Sequence, residues 1–132
     1  MQELNFEYGE EAAEELVRQI LFGKSRRAMI IAPSLRSAKW MVERIREIIG
    51  QNPILRDMRF FPTYEISKQK VKFPNGAEIY LYPSDNSDRL RGVLTDTAVI
   101  LAPDAWEDKD MLEVISLCNR LGDNPVLISA YK

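Results

Sequence analysis

The side chains that most often carry enzyme chemistry are scarce in this chain. It contains no histidine and a single cysteine, Cys118. Without histidine the chain lacks the commonest general base and metal ligand, and one cysteine cannot form an internal disulfide. Cys118 lies in an apolar pattern with helical spacing, so we interpret it as a small core residue. We therefore expect no metal site and no cysteine-based catalysis.

One short motif has the residue types that hold nucleotide phosphates. Gly23-Lys24-Ser25 matches the last three residues of a phosphate-binding loop. Such a loop must follow a strand and open a helix, so that backbone N–H groups and the helix dipole converge on the phosphate. Here the tripeptide follows a helical pattern and precedes a strand pattern, and Arg18 stands where the loop's first glycine is required. We interpret it as a turn that ends a helix.

The basic residues are concentrated in one stretch of the sequence. Residues 18–46, the basic zone, hold eight lysines and arginines against one acid, whereas residues 1–17 hold six acids and no base. A local basic zone attracts phosphate groups even on a protein whose formal net charge is -2. The alternative interpretation is a set of solvated helix faces.

Amphipathic patterns predict three helices. Apolar residues recur at helical spacing in residues 10–21, 35–49 and 111–121. Ser34 is the predicted N-cap of the second helix. A glycine follows each pattern, and we expect the helices to end there, at Gly23, Gly50 and Gly122.

Three continuous apolar runs predict strands that are buried on both faces, as in parallel sheets. They cover residues 28–32, 97–101 and 125–129. Asn75-Gly76 between the alternating segments of residues 70–82 predicts a β-hairpin. The alternation of helices with buried strands indicates an α/β fold, a mostly parallel sheet with helices on both faces and an inserted β-hairpin.

Length and composition indicate one soluble domain over residues 1–132. The hydrophobic content of 45% and the charged content of 29% are ordinary for a globular protein. No apolar run approaches the roughly 20 residues that cross a bilayer, and the acidic N-terminus lacks the features of a signal peptide. We expect a cytoplasmic protein with no membrane partner, in the host cell's cytoplasm if it is viral.

Four short segments match, in order, the motifs of one family. Residues 30–38 read as a hydrophobic strand, Ala-Pro-Ser and a helix start, and residues 71–79 contain Phe-Pro-Asn-Gly. Residues 89–92 contain Leu-Arg-Gly ahead of an apolar strand, and residues 126–130 lie where the family has its coupling motif. This order resembles the ATPase core of phage terminase large subunits and related helicase-like ATPases. The resemblance implies a RecA-like, P-loop NTPase-like fold.

The nucleotide-binding positions of that family carry other residues here. Its P-loop ends in Gly-Lys-Ser/Thr before the first helix, where this chain has Gly9-Glu10-Glu11. Its Walker B strand ends in Asp-Glu, where this chain has Ala102-Pro103, with Asp104 two positions late as an alternative metal ligand. Two acids in place of the lysine and hydroxyl repel ATP rather than bind it. The resemblance therefore implies a degenerate ATPase domain that has no catalytic residues and binds no nucleotide, metal or cofactor.

Three functions of different classes are compatible with these features. The first is a non-catalytic phage or mobile-element protein that acts as a binding or regulatory partner of packaging or helicase machinery, or of a host protein. The second is a DNA-binding module, since the family presents its Ala-Pro-Ser loop to DNA. The third is an NTPase completed by another chain. The candidate nucleic-acid contacts are Lys24, Arg26, Arg27, Ser34, Arg36, Ser37, Lys39, Arg89 and Arg91.

The two tryptophans, Trp40 and Trp106, have two interpretations. Both could stack on nucleic-acid bases. We prefer partial core burial or a contact in an oligomer, because tryptophan side chains carry the large apolar area that such contacts need.

Overall fold

A computed structural model describes residues 2–22, 26–65, 69–83, 96–102 and 126–131 of the chain. The helices are α1 (Gly9–Leu21), α2 (Leu35–Gln51) and α3 (Pro53–Asp57). The strands are β1 (Gln2–Phe6), β2 (Arg27–Ala32), β3 (Thr63–Glu65), β4 (Lys70–Lys72), β5 (Glu78–Pro83), β6 (Thr97–Leu101) and β7 (Val126–Ala130).

The strands of the described residues form one seven-stranded sheet in the order β1-β7-β6-β2-β5-β4-β3. Along this order, each strand from β1 as far as β5 is parallel to the next. The remaining described pairs, β5 with β4 and β4 with β3, are antiparallel. The predicted hairpin is β4 and β5, and its second strand pairs with β2 in parallel, with Ile30 opposite Leu81. The hairpin is therefore part of the main sheet, which confirms the predicted α/β fold with a mostly parallel sheet.

Strand β2 is buried on both faces, as its continuous apolar run predicts. Ile30 belongs to the core cluster beneath the helices, whereas Met29 and Ile31 are equally buried and point to the other face. Strand β6 repeats this arrangement with Val99 and Ile100. Full burial of each isoleucine is worth about 1.5–3 kcal/mol, so these two strands provide much of the stability of the sheet.

The two long helices pack against each other on one face of the sheet. α1 contributes Leu16 and Ile20 to the core, and α2 contributes Met41 and Ile45. Both helices begin within one residue of their predicted starts. The third predicted helix, residues 111–121, lies outside the described residues. Among the described residues, no helix is long and apolar enough to span a membrane.

The prediction that Gly50 ends the second helix is wrong. α2 continues through Gly50 to Gln51. The helix is broken by Asn52-Pro53: a residue before proline avoids the helical region, and Asn52 is extended, with ψ of 114°. Its side chain accepts hydrogen bonds from the N–H groups of Ile54 and Leu55 and thereby starts α3.

Two strands carry no strong sequence signal and were not predicted. β1 is half polar, and it becomes a strand through its parallel pairing with β7, in which Leu4 lies opposite Ile128. β3 is only three residues long and pairs with β4 at the other edge of the sheet. Edge strands bury one face or less, so neither apolar runs nor strict alternation mark them.

Candidate functional site

One edge of the sheet gathers the ends of five parallel strands. β1, β7, β6, β2 and β5 all end there, and both long helices start there, at Gly9 and Leu35. We call it the carboxyl edge, and the opposite one the amino edge. Ligands of open parallel sheets bind outside the carboxyl ends of the strands. A cleft of about 390 Å³, the edge cleft, opens at this place, lined by Gly9, Pro33, Arg36, Ser37, Trp40, Leu101, Ala102 and Ala130.

Two acidic residues, Glu10 and Glu11, lie in the first turn of α1. Tyr8 is its N-cap residue, and the Tyr8 N–H donates a hydrogen bond to the Glu11 carboxylate at 3.3 Å. Glu10 and Glu11 are both exposed in the first turn. Carboxylates at a helix N-terminus are favoured by the helix dipole. Gly9, Glu10 and Glu11 thus lie together at the carboxyl edge, and the two acids place negative charge in the first turn of the helix.

The end of β6 carries no carboxylate at its described residues, Leu101 and Ala102. Ala102 has a left-handed φ of 50°, and its N–H donates to the carbonyl of Ala130 at 2.8 Å. Pro103 and Asp104 lie outside the described residues. Within the described part of the chain, no group of acids, histidines or cysteines has the arrangement of a metal site.

The turn between β2 and α2 is a helix cap. The hydroxyl of Ser34 accepts a hydrogen bond from the Ser37 N–H at 3.2 Å, as predicted for the N-cap. The hydroxyl of Ser34 is engaged by this hydrogen bond. Arg36 and Ser37, in the first turn of α2, lie on the wall of the edge cleft. Lys39 is exposed next to it, with its ammonium 5.8 Å from the centre of the Tyr64 ring.

Comparison with known proteins finds similarity at the level of structure. No protein-family model matches the chain, and no curated protein is similar to it in sequence. The ATPase domain of the large terminase of Thermus phage P74-26 superposes with a TM-score of 0.71 at 19% identity, over 98% of this chain and 59% of that one. The large terminase of bacteriophage HK97 gives the same TM-score at 15% identity, over 98% of this chain and 29% of that one. This chain has a terminase-like fold.

Three of the four resembling segments form the secondary structure that was predicted for them. Residues 30–38 form the junction of β2 and α2, and residues 71–79 form the hairpin of β4 and β5. Residues 126–130 are β7, which lies between β1 and β6. Residues 89–92 lie outside the described part. The chain spans 59% of the length of the Thermus phage terminase ATPase domain. At 19% identity, the similarity between the two proteins is one of fold.

The terminase-like fold divides the basic zone between two ends of the sheet. Arg27 begins β2 at the amino edge, whereas Arg36 follows the end of β2 at the carboxyl edge. At a rise of about 3.3 Å per residue, the first and last residues of β2 are roughly 17 Å apart. Arg26 and Arg27 are also engaged at the amino edge: Arg26 donates to the carbonyl of Asn75 at 3.0 Å, and Arg27 lies 4.0 Å from Glu78. Lys24, Arg89 and Arg91 lie outside the described residues.

Arg46 and Trp40 are both partly buried on α2. Arg46 belongs to the polar face of α2, yet it is half-buried and donates to the carbonyl of Pro62 at 2.7 Å. Trp40 borders the apolar stripe of the same helix, yet it is 46% exposed and lines the edge cleft. About half of the Trp40 side chain is thus buried, which agrees with the partial burial preferred from the sequence, and the rest is accessible at the sheet edge.

Proposed function

We propose that this chain is a non-catalytic terminase-like domain that acts as a binding or regulatory partner of another protein. The observation that carries the proposal is the hydrogen bond between the Tyr8 N–H and the Glu11 carboxylate. A phosphate-binding loop uses backbone N–H groups before a helix to hold the anion. Here a carboxylate of the chain itself accepts from such an N–H.

Electrostatics favour the same conclusion. Glu10 and Glu11 both lie in the first turn of α1. A phosphate charge within about 5 Å of one carboxylate is repelled by roughly 3 kcal/mol at an effective dielectric constant of about 20. The helix dipole stabilises an anion at this position by only about 0.3–2 kcal/mol. The repulsion therefore exceeds the attraction, and we expect no tight binding of a magnesium nucleotide and no ATP hydrolysis.

The edge cleft supports a protein as the partner. Most of its lining is apolar, with Leu101, Ala102 and Ala130 on one side and the half-exposed ring of Trp40 on the other. Tryptophan and arginine, both present on this wall, are the residues that most often dominate protein interfaces. We expect the partner to belong to packaging or helicase machinery or to the host.

Titration calorimetry with ATP and magnesium tests the absence of nucleotide binding. We expect no heat of binding at ligand concentrations up to about 1 mM, which corresponds to less than roughly 4 kcal/mol of binding free energy. The variant Glu10→Gln/Glu11→Gln removes the repulsion without supplying a lysine or a hydroxyl, and it serves as the control for charge alone. Micromolar affinity of the unmodified chain would overturn the proposal.

DNA binding is the second candidate, and the exposure of Arg36 and Lys39 favours it. They lie on the same helix as the Ser34 cap, at the carboxyl edge. Arg26 and Arg27 lie at the other end of β2 from Arg36. The surface available to one DNA segment at the carboxyl edge is therefore Arg36, Lys39 and their neighbours. The third hypothesis, an NTPase completed by another chain, has no contact in its favour among the described residues.

A further inference from the structure

A second cleft opens at the start of α1, next to the edge cleft. It has a volume of about 390 Å³ and is lined by Tyr8, Gly9, Glu10 and Trp40, and we call it the Trp40 notch. The aromatic side chains are both accessible, with Tyr8 49% and Trp40 46% exposed. A half-exposed tryptophan and tyrosine around one carboxylate make an unusual surface for a chain with only two tryptophans.

The chemistry of the notch selects a cation. An anion in the notch is repelled by Glu10 more strongly than the dipole of α1 attracts it. A neutral apolar group would cover the rings but would remove water from the carboxylate without replacing it. A lysine or arginine side chain suits both the carboxylate and the rings. Its charge pairs with the carboxylate of Glu10, and its stem and charge lie against the rings of Tyr8 and Trp40.

The charges around the notch leave its acidic character in place. Glu11 and Glu14 are exposed on the same helix, one turn or less from Glu10. The hydrogen bond to Glu47, 2.8 Å long, is the main cause that raises the pKa of Arg44 on α2, and the charges of Glu10 and Glu14 add to it. Arg44 therefore offsets part of the acidic charge, but it does not line the notch. Arg36 lines the edge cleft and does not line the notch. The two clefts therefore differ in the side chains they suit.

We propose that the Trp40 notch binds a lysine or arginine side chain of a protein partner, while the edge cleft takes an apolar side chain of the same segment. The two clefts share Gly9 and Trp40, so one extended segment can reach both. Side chains two residues apart in an extended segment are roughly 7 Å apart on one side. This inference rests on the proposed function, since it requires a partner and a carboxyl edge free of nucleotide.

The test is a nuclear magnetic resonance titration of the ¹⁵N-labelled full chain with a short peptide. In the peptide, lysine and leucine alternate and are separated by alanine, so that both types project from one side. We expect saturable shifts of the Trp40 indole N–H and the Gly9 amide. A Trp40→Phe variant distinguishes the Trp40 indole from that of Trp106. The same peptide with glutamate in place of lysine should leave both signals unchanged.

Variants separate the notch from general attraction between opposite charges. We expect Glu10→Gln to weaken binding of the lysine peptide about threefold and Trp40→Ala to weaken it about tenfold. Asp57→Asn and Phe22→Ala are the matched controls, since both side chains are strongly exposed and lie at the far ends of the helices. These two should bind the peptide as the unmodified chain does.

Several outcomes would overturn the inference. Equal binding of the glutamate peptide, or an equal loss with Asp57→Asn and Glu10→Gln, would contradict a specific cation site. Shifts confined to other residues, or no response to the lysine peptide, would do the same and would leave the proposed function standing. Addition of magnesium ATP to a second sample distinguishes failure of this inference from failure of the proposed function. Movement of the Gly9 and Trp40 signals at micromolar nucleotide would contradict the proposed function itself.

Discussion

The N–H of Ala102 donates a hydrogen bond to the carbonyl of Ala130, 2.8 Å away, across the carboxyl edge. Ala102 makes this contact in the left-handed region, with φ of 50°. A residue with a Cβ atom is strained there by roughly 1–2 kcal/mol. The bond ties the end of β6 to the end of β7, and it holds a strained backbone on the wall of the edge cleft.

Replacement of Ala102 by glycine should stabilise the protein. Glycine adopts the left-handed conformation without strain, but it adds about 0.4–1 kcal/mol of chain entropy to the unfolded state. We expect the free energy of unfolding to rise by about 0.5–1 kcal/mol in urea denaturation. Ala98→Gly, within β6, is the matched control and should lower the free energy of unfolding by about 1 kcal/mol. A decrease of equal size in both variants would contradict the strain at Ala102.

Removal of the Glu11 carboxylate should destabilise α1. Glu11→Ala loses the hydrogen bond from the Tyr8 N–H and a favourable charge in the first turn. We expect the free energy of unfolding to fall by about 0.5–1 kcal/mol, measured by urea denaturation. Glu14→Ala, an exposed acid one turn further on, should change it by less than about 0.5 kcal/mol. If both variants lose the same amount, the carboxylate of Glu11 does not cap the helix.

The ion pair of β4 and β5 should make stability depend on pH. The Lys70 ammonium donates to the Glu78 carboxylate at 2.6 Å, and this bond is the main cause that lowers the pKa of Glu78 and raises the pKa of Lys70. Because the pKa of Glu78 is lower in the folded state, its contribution is complete above the unfolded pKa of about 4.3. It is lost as pH falls through the folded value.

The variant Glu78→Gln measures that contribution. We expect the free energy of unfolding of the variant to lie below that of the unmodified chain by a constant amount between about pH 6 and pH 8. Below about pH 4 the difference should shrink progressively, because the Glu78 carboxylate takes up a proton as the pH approaches its lowered folded pKa and then resembles the uncharged glutamine. Urea denaturation at pH 3 and pH 7 provides the measurement. A difference that stays the same at both pH values would show that the carboxylate charge contributes nothing.

On the DNA-binding alternative, the two ends of the basic zone should behave differently. Arg36→Ala with Lys39→Ala should weaken binding of all duplex sequences alike and lower the salt slope by about 2, one unit for each phosphate contact. Arg26→Ala with Arg27→Ala removes the same charge at the amino edge and should leave the slope unchanged. Mobility shifts at several salt concentrations provide the measurement. Absence of any shift for the unmodified chain at low salt excludes this alternative.

The central part of the fold was predictable because burial on two faces leaves a mark on composition. Three continuous apolar runs identified β2, β6 and β7 to within about one residue, and Asn75-Gly76 identified the hairpin. Gly76 has φ of 90°, so the turn depends on a conformation that glycine adopts freely. The edge strands β1 and β3 were not predicted, because their stability comes from hydrogen bonds to a neighbouring strand rather than from their own apolar content.

The candidate site was predictable only in part. The sequence by itself determined that α1 begins at an acidic stretch that contains Glu10 and Glu11, because helix starts and charges are local features. Tertiary structure decided which side chains meet. Parallel strands bring residues from β1, β2, β6 and β7 to one edge, where Trp40 stays accessible between two clefts. The same strand direction puts Arg27 and Arg36 at opposite ends of β2, since neighbours in sequence are separated by the length of an extended strand.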